Sequence, residues 1–249
     1  MENKIDNLVK KINLICNKRY LLSNNNAGLL FESLLGIKPN DLSVPDIDGI
    51  EIKVSNEKKN YPVSLFSCVF DGKDFFETKR FIEKFGAKDR IYPSQKVMYV
   101  DIYANAFSFW GNYIKFKLLV DYKKEKLYIL VVHTNGKIIE KRAFWDFNTL
   151  NCILNRKVNY LCLVDYKLYY FEKKSYCIYN NYTILRFTGF SNFLRLVEQG
   201  DIFVNINCGV YRSGKNIGKT CIHGLTFKIK KTVLLELFDV KKNSTYKST

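Results

Sequence analysis

Acidic residues are scarce in this chain: 24 Asp and Glu stand against 40 Lys and Arg over 249 residues, a formal charge of +16. That imbalance makes a polyanion the leading partner class, with nucleic acid first. No run of eighteen apolar residues occurs, which excludes a conventional membrane-spanning helix, and no membrane partner is expected. Cysteine never falls at C-x-x-C spacing; the seven cysteines (16, 68, 152, 162, 177, 208 and 221) are scattered through apolar stretches. An odd number without a zinc pattern points to reduced, buried thiols. Residues 1–20 lack the continuous apolar core of a secretory leader, so a cytoplasmic location is expected. Internal repeats and low-complexity linkers are absent too. What the chain has in quantity is apolar surface, 47% hydrophobic and 15% aromatic residues, enough for a substantial core and too much for general disorder. Its length suits one large domain or two packed lobes.

Ile5, Leu8, Val9, Ile12, Ile15 and Cys16 recur at helical spacing and predict an amphipathic first helix. The cluster SNNN (23–26) offers a cap for a second helix, AGLLFESLLGI, with Gly36 as its stop. Glu32 lies in the middle of that short apolar helix, where a carboxylate needs a partner. Asp48-Gly49 is a strong turn signal, and IEIKV (50–54) alternates as a strand does. Further strands are predicted at 96–103, 114–122 and 127–133, and two short aromatic ones near 159–164 and 167–172. Helices are predicted at 191–200 and over the closing KKTVLLELF, with KKNSTYKST as a frayed basic tail. The order predicts an α/β (α+β) protein with a mixed or largely antiparallel sheet, not a regular βαβ series.

The stretch SVPDIDGIEIKVS (43–55) concentrates the chemistry. Residues two apart on a strand share a face, about 6–7 Å from one another, so Glu51 and Lys53 point the same way. Asp46, before the turn, can fold back alongside Glu51. Two carboxylates converging make an oxygen-rich site suited to Mg²⁺, with the Ile52 carbonyl as a further ligand. Lys53 is placed to orient or deprotonate a water attacking a phosphodiester and to offset developing phosphate charge. Glu-x-Lys by itself is a weak signal in a Lys-rich chain, and a charged edge hairpin reads equally well on these residues alone.

Taken together, Glu32 in GLLFESLLGI, then PDIDGIEIK, then SLFSC resemble the catalytic region of the MvaI/BcnI-type restriction endonucleases and their nicking relative MutH, within the PD-(D/E)xK nucleases. The stretch FSNFLRLVEQGDIFVNINCGVYRSGKNIGKTCIHGLTFKI (190–229) is similar to the part of those enzymes that carries a Gly-rich basic loop, a His-Gly step and a following strand. The resemblance implies a restriction-endonuclease-like core, a mixed sheet flanked by helices, in a single 1–249 unit. Two lobes would embrace a DNA cleft, 1–145 catalytic and 146–249 for DNA recognition. It further implies that Asp46 and Glu51 hold Mg²⁺, that Lys53 is the catalytic lysine, and that Glu32 is an auxiliary carboxylate at the metal. The implied activity is hydrolysis of double-stranded DNA at a short pseudo-palindromic site by a Mg²⁺-activated water. The enzyme would be a monomer with a cognate methyltransferase in the host. A MutH-like strand-nicking repair enzyme and a DNA-binding protein with a vestigial site are the alternatives.

No acidic residue lies between Asp201 and Glu236, while Arg212, Lys215, Lys219, Lys228, Lys230 and Lys231 all do. Arg212 suits bidentate contact to a guanine edge, and the lysines suit phosphates. His223 suits either. Only His223 matches the family's pattern of an acidic residue and two histidines about the step, here Cys221-Ile222-His223-Gly224; the departure bears on which bases are read, not on cutting. GKNIGKT ends like a phosphate-binding loop but lacks the first glycine at the required spacing and a following helix, so that reading is rejected.

Overall fold

Asp48 and Gly49 both adopt positive φ (53° and 88°), the conformation of a two-residue hairpin turn that matches strand twist. Ile47 and Ile50 close it by exchanging hydrogen bonds of 3.2 and 2.8 Å. The turn launches the strand Glu51–Asn56. The computed structural model describes residues 1–22, 26–37, 44–71, 76–141 and 143–245, with the side chains at 76, 77, 223, 244 and 245 not described. The first three residues of SNNN, Ser43, and the last four residues of the predicted tail lie outside the described residues.

Two units interleave along the chain. The first holds Met1–Val63, Ile153–Gly189 and Lys230–Thr249; the second holds Ser64–Cys152 and Phe190–Ile229. The chain therefore does not divide near 145/146, as the sequence suggests, because the segments after 153 and after 230 return to the N-terminal unit.

In the first unit the sheet runs Arg19–Leu21, Lys174–Phe187, Tyr160–Phe171, Glu51–Asn56, and Phe238–Thr245 also pairs with Lys174–Phe187. Glu51–Asn56 lies parallel to Tyr160–Phe171, and the other pairings are antiparallel. This is the mixed sheet expected. Helices Glu2–Ile15 and Ala27–Leu34 bury Ile5, Leu8, Ile12 and Phe31 in one cluster with Ile50 of the hairpin and Ile52, Cys162, Val164 and Tyr179 of the strands. Asn26 caps the second helix by accepting the Leu29 N–H at 3.1 Å. Tyr179, fully buried, packs its ring 4.7 Å from Phe31 and donates its hydroxyl proton to the Ala27 carbonyl at 2.6 Å. That contact ties the helix bearing Glu32 to the sheet bearing Glu51.

The second unit contains two further sheets among the described residues. One runs Val63–Ser67, Thr220–Ile229, Ile202–Val210, Lys96–Ile102, Ala87–Lys88; the other runs Phe144–Asp146, Lys126–His133, Ile114–Asp121, Ser108–Trp110. Trp145, Phe193 and Phe227 are fully buried and pack on one another, with Trp145 and Phe227 at 5.0 Å and Phe193 and Phe227 at 5.8 Å. Helix Phe190–Glu198 supplies Phe193, Leu194, Leu196 and Val197 to this core, as its spacing predicted.

Two expectations are corrected. The short strands near 159–164 and 167–172 are one strand, Tyr160–Phe171, with an irregularity at Asp165/Tyr166. It turns back through Glu172 and Lys173, both at positive φ (46° and 61°), residue types that do not advertise such a turn. The closing helix shortens to a single-turn Lys231–Val233 and Leu234–Leu237, and Phe238–Thr245 becomes a strand rather than a frayed tail. Backbone pairing with Lys174–Phe187 overrides the local helical pattern. Tyr179→Phe is expected to destabilise the fold by about 0.5–1.5 kcal/mol, because it removes the buried hydrogen bond from the hydroxyl to the Ala27 carbonyl, and Tyr179→Ala by about 3–5 kcal/mol. Urea unfolding measures both.

Candidate active site and basic loop

The hairpin at Asp48-Gly49 brings Asp46 back against the strand it precedes, and the Ile52 N–H donates to Asp46 Oδ2 at 2.7 Å. The N–H and C=O of one strand residue leave by the same edge. Glu51–Asn56 pairs with Tyr160–Phe171 on one side, so Ile52 presents its carbonyl to the other, beside Asp46. The Ile52 side chain enters the core, 2% exposed, and the alternation that buries it sends Glu51 and Lys53 to the opposite face. Lys53 Nζ donates to Glu51 Oε1 at 2.5 Å, and Lys157 Nζ stands 3.9 Å from the same oxygen. The Glu51 side chain is 3% exposed, and its other oxygen, Oε2, is buried with no hydrogen-bond partner.

Burial pushes the Glu51 carboxyl above its ordinary range; Lys53 and Lys157 oppose this and Asp46 reinforces it. Glu32 is also raised, first by burial and then by Asp46, with Glu51 adding and Lys53 opposing. The structure thus brings Glu32 within the electrostatic reach of Asp46, Glu51 and Lys53. Both shifts arise first from burial, which disfavours the charged carboxylates. The unsatisfied Glu51 Oε2 is a strong oxygen acceptor without a donor, and a hard divalent cation fits it. No group of three or more His, Cys, Asp or Glu side chains closes around a metal-holding point among the described residues. Mg²⁺ does not need such a cage, since it keeps waters and takes one or two carboxylates together with substrate oxygens. Asp46, Glu51 and the Ile52 carbonyl are oxygen donors of the kind such an ion takes.

Lys157 was not singled out from the sequence. Its place at the end of helix Phe147–Lys157 becomes visible only once that helix is set against the Glu51–Asn56 strand.

The basic residues lie in the second unit. Residues 211–219 form the loop between strands Ile202–Val210 and Thr220–Ile229, closed on itself by Tyr211 N–H to Lys219 O at 3.0 Å and Gly218 N–H to Tyr211 O at 2.9 Å. Gly214 and Gly218 take φ of 77° and 78°, which side-chain-bearing residues rarely adopt. A strand follows GKNIGKT, not a helix, which agrees with rejecting a phosphate-binding loop there. Lys215 and Lys219 are exposed, and Lys228 is half-buried on the strand Thr220–Ile229. His223 lies on the same strand, its side chain among those not described.

Arg212 is placed differently from expectation. Its Nη1 donates to Asp89 Oδ1 at 2.8 Å and its Nη2 to Asp89 Oδ2. The fork that would read a guanine is thus occupied by a carboxylate. Asp89 in turn accepts the N–H groups of Ile91 and Tyr92 at 2.9 and 2.8 Å, and its side chain is 3% exposed. The Arg212 hydrogen bond holds the Asp89 carboxyl well below the usual carboxylate range. Arg212 therefore anchors the base of the loop, and Asp89 is a second residue that sequence reading missed, its partner being remote in the chain.

The MvaI/BcnI restriction endonuclease family model matches residues 9–238. Among solved structures, a restriction endonuclease MvaI–cognate DNA substrate complex is similar with a TM-score of 0.90 at 25% identity, over 97% of this chain and 98% of that one. Restriction endonuclease MvaI in the absence of DNA matches with a TM-score of 0.62 at 26% identity over the same shares. No curated protein matches the chain in sequence.

Arg212→Ala is expected to lower the urea midpoint, because it leaves the buried Asp89 carboxylate without its counter-charge. Adding Asp89→Asn should recover part of that loss. Losses that simply add in the double variant would show that the two groups are not coupled.

Proposed function

The chain belongs to the MvaI/BcnI restriction endonuclease family, and we propose that it cuts double-stranded DNA at the edge formed by Asp46, Glu51, Ile52 and Lys53, with Mg²⁺ as cofactor. It is a type II site-specific deoxyribonuclease. The observation that carries the assignment of the site is the buried, unpartnered Glu51 Oε2, with Asp46 near enough to act on the Glu51 carboxyl and hydrogen-bonded to the Ile52 N–H.

Asp46, Glu51 and the Ile52 carbonyl would hold the ion, with Glu32 beside them as an auxiliary carboxylate. A divalent ion held there would supply Lewis-acid activation of water and of the phosphoryl oxygen. The chain supplies the rest. Glu51 is fixed by its strand, so its free oxygen cannot wander from the reacting region. Lys53, on the same face, orients the attacking water and offsets the charge that grows on the phosphate as one P–O bond forms and another breaks. Burial strengthens each of these interactions over its value in water.

The net charge of +16 and the exposed Lys215 and Lys219 support binding to the DNA backbone. Lys228 and His223 complete the DNA-facing set. With its fork on Asp89, Arg212 holds the loop that carries Lys215 and Lys219, and reading a guanine would require it to exchange that partner. The enzyme acts as a monomer on a short, pseudo-palindromic target, and a cognate methyltransferase protects the host DNA.

Plasmid digestion with Mg²⁺ should give discrete fragments that EDTA abolishes; nicked circles alone would identify a strand-nicking enzyme instead. Glu51→Ala and Asp46→Ala should abolish cutting while DNA affinity stays close to wild type, measured by mobility shift in Ca²⁺. A large loss of affinity would count against their assignment to chemistry. Lys215→Ala and Lys219→Ala should each flatten the slope of log affinity against log salt by about 0.9.

A further inference from the structure

Glu51 faces two ammonium groups on one oxygen. Lys53 Nζ donates to Oε1 at 2.5 Å, and Lys157 Nζ lies 3.9 Å from that same atom, while Oε2 has no hydrogen-bond partner. The two lysines come from separate elements. Lys53 stands two residues along the strand from Glu51, whereas Lys157 closes helix Phe147–Lys157. Leu154 and Val158, both fully buried, bracket Lys157, and the Val158 N–H donates to the Leu154 carbonyl at 3.0 Å. The helix end is therefore fixed by packing, and the four-carbon stem of Lys157 reaches Glu51 from a rigid base.

This arrangement resolves a conflict in the catalytic reading on which it rests. A lysine that serves the reacting phosphate must turn its donors toward it, yet Lys53 is hydrogen-bonded to Glu51. If Lys53 left alone, a carboxylate with 3% of its side chain exposed would lose its only hydrogen-bonded cation among the described residues, which is costly. Lys157 is already within ion-pair range of the same oxygen and needs to advance only about 1 Å to reach hydrogen-bonding distance. Its rotatable ammonium can do so without backbone motion.

We propose that Lys157 is a positioning residue of the nuclease reaction. It takes over Oε1 of Glu51, which releases Lys53 to the scissile phosphate and keeps Oε2 presented for the cation. A simple brace between helix and strand would need neither the shared oxygen nor the second lysine.

The test uses the full chain with Lys157→Met, which keeps the stem, and Lys157→Arg, which keeps the charge. Steady-state plasmid cleavage gives kcat and KM, calorimetry with Mn²⁺ alone gives metal affinity, and urea gives stability. Lys157→Met is expected to lower kcat about 10- to 100-fold with KM for DNA little changed. Mn²⁺ affinity should hold or rise, because a repelling cation is gone, and Lys157→Arg should restore most of the rate. Three results overturn the inference: wild-type kcat in Lys157→Met, joint loss of kcat, Mn²⁺ affinity and stability, or no rescue by Lys157→Arg. Absence of cleavage by the wild-type protein would instead overturn the reading of the site itself.

Discussion

Much of the site depends on one hydrogen bond, from the Ile52 N–H to Asp46 Oδ2. A strand at a sheet edge leaves a row of backbone donors and acceptors that proteins must cover or use. Here a side chain from the preceding hairpin satisfies one donor on that edge. The same contact settles three other matters. It places the Asp46 carboxylate beside the Ile52 carbonyl, turns Ile52 into the core, and so commits Glu51 and Lys53 to the other face. A one-residue slip of the strand would reverse all of this, sending the isoleucine out and the glutamate in. The Asp48-Gly49 turn guards against that slip, since its two positive φ angles fix the hairpin register.

Electrostatics then divides the labour between the two units. In the first, carboxylates are gathered within electrostatic reach of one another, with Glu51 and Glu32 both raised first by burial. In the second, basic side chains are exposed on a loop tied to Asp89 through Arg212. The contrast follows from burial. A lysine in solvent attracts a polyanion at long range and lets go readily, whereas a carboxylate with almost no exposure has a strong, local demand for a cation.

The geometry of the proposed catalytic edge was largely legible in the sequence. Asp48-Gly49 announced the turn, and the two-residue period put Glu51 and Lys53 together. Glu32 was conspicuous as a carboxylate in an apolar helix. What could not be read were contacts made by parallel pairing and remote loops. Lys157 meets Glu51 because Tyr160–Phe171 lies parallel to Glu51–Asn56, and nothing local to Lys157 signals it. Asp89 and Arg212 are separated by 123 positions. The Glu172-Lys173 turn has the geometry of an Asn-Gly turn without its residues, and the strand Phe238–Thr245 exists only because a neighbour offers it a ladder.

The interleaving of the units has a consequence for how the chain matures. The strand that carries Glu51 and Lys53 pairs with Tyr160–Phe171, and the sheet also incorporates Phe238–Thr245. As the ribosome emits the polypeptide from its amino end, the strand of the proposed site appears early but finds its lateral support only after the intervening segment has been made. Closing such distant partners slows assembly. It also means that an unfinished product of translation lacks the scaffold needed to attack the chromosome of the cell that makes it.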